Sequence, residues 1–148
     1  MILILFILIE KRRNMSIVSK DFEIQENLIV LIEDLQNNIY DLRDRIADYT
    51  HLYNKTRHTA VECEVQNEEI ADIIGKKHHS LYHKMKSLNY LLEIINDYRD
   101  CNGIFQDQHD MIIQVQEIMF DYAEKELYEE AATIKKWYDL LYVAIYIQ

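Results

Sequence analysis

The sequence predicts an all-α protein, on three observations: it contains no proline and only two glycines, nearly half of it is apolar, and the apolar residues recur at helical spacing. Proline and glycine punctuate turns and helix ends, so a chain this poor in both has few places to break a helix. Long helices joined by few turns follow. The apolar content, with eleven tyrosines, supplies enough to bury for a folded core and argues against disorder. At 148 residues the chain can form one domain or two small helical modules.

Three regions are expected: an apolar N-terminal extension over 1–19, a long helical region with coiled-coil patterning over 20–101, and a helical hairpin over 104–148. The chain opens with the apolar run MILILFILI, followed by Lys11, Arg12 and Arg13. A membrane-spanning helix needs roughly 20 apolar residues, so this run is too short. A signal peptide would carry its charges before the run and a small-residue cleavage site after it, and neither is present. One reading is a short anchor for a membrane or a partner. The preferred reading is translation from Met15, with no membrane contact.

From Leu28 the apolar residues fall into a heptad. Ile32, Ile39 and Ile46 recur seven apart, and Leu28, Leu35, Leu42 and Tyr49 do so in the complementary position. The register continues through Tyr53, Thr56, Ala60, Cys63 and Ile70, with Asn67 as a polar interruption. β-Branched residues at one seam position and leucine at the other suit a two-stranded parallel packing. The same stripe equally suits an antiparallel bundle within one chain. A long helix is predicted from about Asp21 to Ile74, with Ser19 or Asp21 as N-cap and Gly75 as its bend or end.

A second helix is predicted from about Lys77 to Tyr98, with Leu81, Leu88, Leu91, Leu92 and Ile95 on its apolar face. Cys101-Asn102-Gly103 reads as a stop, because Asn and Gly tolerate the left-handed conformation. A third helix, about Asp107 to Ala123, presents Ile112, Val115, Met119 and Tyr122. A fourth covers about Glu129 to Ile147.

The formal net charge of -10 repels phosphate backbones, so nucleic-acid binding is not the expected activity. Lys76, Lys77, Lys84 and Lys86 nevertheless form one basic segment, and Tyr82 and Tyr90 could stack on bases. The plainer reading is a solvated helix face. His79 and His83 are four apart, but a stable zinc site wants four ligands and no further ones stand at suitable spacing. No metal or cofactor is expected. Cys63 and Cys101 form neither a disulfide framework nor a CxxC pair, which suits a reducing cytoplasm. No thiol or hydroxyl stands with a base at suggestive spacing, no HExxH occurs, and no Gly-rich phosphate loop exists, so the chain reads as non-enzymatic.

The most informative stretch is MFDYAEKELYEEAATIKKWYDLL, Met119 to Leu141. It reads as two amphipathic helices around a tight turn at about Lys125 to Tyr128. Glu129 and Glu130 sit where the positive end of a helix dipole favours them. Ala131, Ile134, Tyr138, Leu141 and Ile145 make one stripe, with Lys135 and Lys136 on the wet side. The run Tyr128, Glu129, Glu130, Ala131, Ala132, Thr133, Ile134, Lys135 resembles the UVR motif, a helical hairpin of the UvrB and UvrC subunits of bacterial excision nucleases. Met119 and Ala123 match at corresponding spacing in the preceding helix. Lys136 departs from the family pattern, which often has an acidic residue there. The resemblance covers about the last 40 residues and implies a protein–protein contact module whose hairpin pairs with a partner's.

On that resemblance the expected docking residues are Met119, Ala123, Tyr128, Ala131, Ala132, Ile134, Tyr138, Leu141 and Ile145. The expected function is a non-enzymatic adaptor or assembly protein, its partner another protein or a second copy. Two alternatives stand beside it: a nucleic-acid-associated repair or recombination accessory using the Lys76 to Lys86 segment, and a structural coiled-coil or viral assembly protein.

Overall fold

The computed structural model describes the backbone of residues 2–63 and 68–147, and the side chains of 20–58 and 69–147. Four helices follow one another: α1 (Ile2–Cys63), α2 (Glu68–Asp97), α3 (Gln108–Glu124) and α4 (Tyr128–Tyr146). No strand occurs among the described residues, and the fold is all-α as predicted.

The heptad stripe of α1 is turned inward on α2. Leu28, Ile32, Leu35, Ile39 and Leu42 are all buried, while Ile46 and Tyr49 pack half-buried against the same cluster. The helix α2 runs back along α1: Gly75 meets Tyr53, and Thr50 hydrogen-bonds His78 across 2.7 Å. Of the two packings that the heptad suits, the described chain adopts the antiparallel one within itself. Ile70 is 49% exposed and therefore leaves the seam. The side chains of Ala60 and Cys63, all of Asn67, and those of the apolar N-terminal run through Ser19 lie outside the described residues.

Two boundaries differ from expectation. The helix α1 runs through Ser19 and Asp21 without stopping, so neither caps it. Gly75 is neither a bend nor an end; it lies inside α2. An alanine Cβ there would stand 3.1 Å from the Tyr53 ring, so the missing side chain admits that ring against the α2 backbone. The expected face of α2 is otherwise as read. Leu81, Leu88, Leu91 and Ile95 are buried, Leu92 is half-buried, and Ile94 joins them.

The α2–α3 connection is held by side chains. Gly103 takes a positive φ of 79° at its tip, in the stop segment read from the sequence. The Asp100 carboxylate accepts from the Asn102 and Ile104 amides at 2.8 and 2.9 Å and from the Gln106 side chain at 3.1 Å. Gln25 of α1 acts like a strand residue here, donating to the Phe105 carbonyl at 3.0 Å and accepting from its amide at 2.9 Å. Phe105 is buried beneath this clasp.

The Ile104 amide above all, then Gln106 and Asn102, holds the Asp100 carboxyl below its ordinary value of 3.8. A carboxyl with a depressed folded-state value contributes order above 3.8 and loses it as pH falls through the lower folded value. Acidifying below that point is therefore expected to lower the exchange protection of the Asn102 and Ile104 amides relative to their intrinsic rates at the same pH. The Asp100→Ala variant should show the lowered protection already at neutral pH. Equal protection in variant and parent would mean that the carboxylate does not organise the loop.

The helix α4 packs on α1, α2 and α3, and α3 packs on α2 and α4. One continuous core results, running from Leu28 through Leu91, Met111, Val115 and Ile134 to Ile145.

Candidate docking face on the C-terminal hairpin

The α3–α4 hairpin is closed by its turn chemistry. The Glu126 amide donates to the Ala123 carbonyl at 3.0 Å, and the Leu127 amide donates to Tyr122 at 2.9 Å. This pair of bonds defines a Schellman motif, which needs a left-handed residue, and Glu126 supplies it at φ 60°. Glycine usually takes that place because a Cβ there is unfavourable. The sequence carries no glycine at this turn, so only the change of helical phase marked it. At the other end α3 starts after Asp107, also left-handed at φ 49°.

The stripe expected to dock a partner is for the most part used internally. Ala131, Ile134, Leu141 and Ile145 are at most 8% exposed, packed in the chain's own core. They belong to the core rather than to a surface, because α4 lies against three other helices that together enclose this stripe. Trp137 and Ala144, both absent from the expected stripe, complete it. Met119 and Tyr138 are half-buried at its edge, and Ala123 is likewise half-covered. Tyr128 and Ala132 remain exposed.

What stays uncovered is a second, aromatic strip. On α3 it consists of Ile113 and Phe120, seven residues apart, at 40% and 54% exposure. On α4 it is a tyrosine ladder at four-residue spacing. The Tyr138 and Tyr142 ring centroids lie 6.3 Å apart, and those of Tyr142 and Tyr146 lie 4.8 Å apart. Tyr146 OH stands 2.7 Å from His109 Nδ1, which ties the end of α4 to the start of α3. Tyr128 continues the α4 side at 66% exposure. Of these residues only Tyr128 and Tyr138 are among the docking residues expected from the sequence, although the tail from Leu140 to Ile147, with Tyr142 and Tyr146 in it, is apolar nearly all round.

The strip is bordered by acid. Asp110, Glu117, Asp121 and Glu124 are exposed on α3, and none has an ion-pair partner among the described residues. The helix α3 carries no lysine or arginine at all. On α4, Lys135 pairs with Asp139 at 3.0 Å, and Lys136 lies 5.9 Å from the centre of the Trp137 ring. The field of the carboxylates is felt at Tyr98, whose hydroxyl donates to Gln114 at 2.6 Å. Burial first, then Asp110, Asp107, Asp97 and Glu117, push its phenol above the ordinary 10.0.

The remaining sequence candidates scatter. Lys76, Lys77, Lys84 and Lys86 are all exposed on α2. Lys84 lines one hollow with Asp41 and Asp44 and another with Glu129 and Glu130. Among the histidines, His79 Nε2 faces His83 Nε2 at 2.9 Å, while His78 turns away to Thr50. Among the described residues no three His, Cys, Asp or Glu side chains converge to hold a metal. Among them also, no helix is long and apolar enough to cross a membrane.

These residues describe an all-α chain with a continuous core and one aromatic, acid-edged face on its C-terminal hairpin. No protein-family model, no curated protein and no solved structure matches this chain.

Proposed function

We propose that this chain is a non-enzymatic adaptor or assembly protein whose C-terminal hairpin takes an amphipathic helix of another protein. The observation that carries the reading is the aromatic strip of Ile113, Phe120, Tyr142 and Tyr146, left exposed after α4 has packed on every other helix, with half-buried Tyr138 at its inner edge. Apolar surface gathered on one face has an incentive to leave water, and aromatic side chains dominate the energetics of docked interfaces. The UVR resemblance supports the same function, with a different face in use: Met119, Ala123, Tyr128, Ala132 and Tyr138 border or join the strip, whereas Ala131, Ile134, Leu141 and Ile145 hold the fold.

The docking geometry would be a helix laid along the strip of α3 and α4, anchored at three- and four-residue spacing. The test is a pull-down from the native source with the full chain and a Phe120→Gln, Tyr142→Ser variant. A helical partner captured by the parent and lost by the variant, at an unchanged thermal midpoint, is the expected result. Capture of the same partner by both would remove the strip from the docking surface.

A further inference from the structure

We propose that the partner helix is basic: an amphipathic helix with one apolar edge on the strip and lysine or arginine along the side that meets α3. This rests on the docking reading above and adds the chemistry of the occupant. Two observations carry it. The first is the border itself. Asp110, Glu117, Asp121 and Glu124 lie on the same helix as Ile113 and Phe120, all four are exposed, and no cation neutralises any of them among the described residues. The second is that α3 offers no lysine or arginine to a partner, and of the two lysines of α4 one is paired with Asp139 and the other lies by Trp137.

The same distribution disfavours a second copy of this chain. Each copy carries a formal charge of -10, so pairing two hairpins brings together like-charged surfaces. It also disfavours nucleic acid at this face, since a phosphate backbone would meet four unpaired carboxylates. A basic helix satisfies both halves of the surface. Its apolar side chains cover the rings and supply the affinity. Its cations meet the α3 border, where exposed charges act mainly on encounter rate and on the choice of partner.

The experiment uses the full chain and two labelled synthetic helices with the same leucine heptads, one carrying lysine and the other glutamate at the flanking positions. Binding is followed by fluorescence anisotropy at low salt and at about 0.15 M salt, where exposed charges are largely screened beyond about 8 Å. The lysine helix is expected to bind and to weaken with salt, and the glutamate helix is not. Neutralising the border with Asp110→Asn, Glu117→Gln, Asp121→Asn and Glu124→Gln should weaken the lysine helix by about tenfold or more and flatten its salt dependence. Phe120→Gln, which leaves the charge unchanged, should weaken it at both salt levels.

The failures are separable. If both helices bind equally and Phe120→Gln weakens both, the strip docks helices but the basic partner is wrong. If the lysine helix binds regardless of Phe120→Gln, attraction is to net charge alone and the docking reading falls with the proposal. Binding of neither helix, or a self-associating chain in sedimentation whose dimer is lost in Phe120→Gln, also overturns the basic partner. Circular dichroism of each variant at the parent's value excludes misfolding as the cause.

Discussion

Leu141→Ala is expected to lower the unfolding free energy by about 2–5 kcal/mol, the cost of a lost core leucine plus the cavity it leaves. Leu141 has no exposed surface, and it sits on a helix that packs against all three others. Its removal therefore opens a void where the two hairpins of the chain meet, and neither can close it without giving up other contacts. Domains of this size have about 5–15 kcal/mol in total, so the variant should unfold at markedly lower denaturant concentration. Trp137→Ala, at 4% exposure, belongs in the same series at about 3–5 kcal/mol. A denaturant midpoint for Leu141→Ala within experimental error of the parent would mean that α4 does not pack as described.

The second large effect separates a core stripe from a docking stripe. Ala131→Glu places a carboxylate at a position only 8% exposed. The carboxylate must either be stripped of water or push the start of α4 outward, at an expected cost of more than about 3 kcal/mol. Ala132→Glu, at the next residue but on the exposed side, should stay within about 0.5 kcal/mol. Thermal melts of the two variants decide the matter. If Ala131→Glu melts with the parent and merely loses its partner, then Ala131 faces a binding surface rather than the core.

The existence and type of every helix were legible because helical periodicity survives in any packing. The ends of α3 and α4 fall within about a residue of expectation, since the change of phase at Lys125 to Tyr128 is sharp even without glycine. What covers a stripe was not legible. Leu28 to Leu42 reads identically whether the opposing helix belongs to another chain or follows in the same one, and only the return of α2 decides it. The same ambiguity placed Ala131, Ile134, Leu141 and Ile145 on a partner interface together with Tyr128 and Tyr138, of which only the tyrosines keep exposed or half-exposed surface. Trp137 was missed because Lys135 and Lys136 immediately precede it and make that side of α4 look wet. Gly75 misled for a different reason: glycine signals a break or a close approach with equal force, and here Tyr53 is what approaches.

The reciprocal amide bonds between Gln25 and Phe105 bear on kinetics. They fasten the connector between the two hairpins to a helix 80 positions earlier in the chain, so the C-terminal pair is not free to swing on its tether. A helix docking as proposed would meet a hairpin already held to the rest of the fold. On the docking proposed above, little ordering entropy would be lost on association, capture would be limited by diffusion and orientation, and differences among partner helices would show chiefly in how long each one stays.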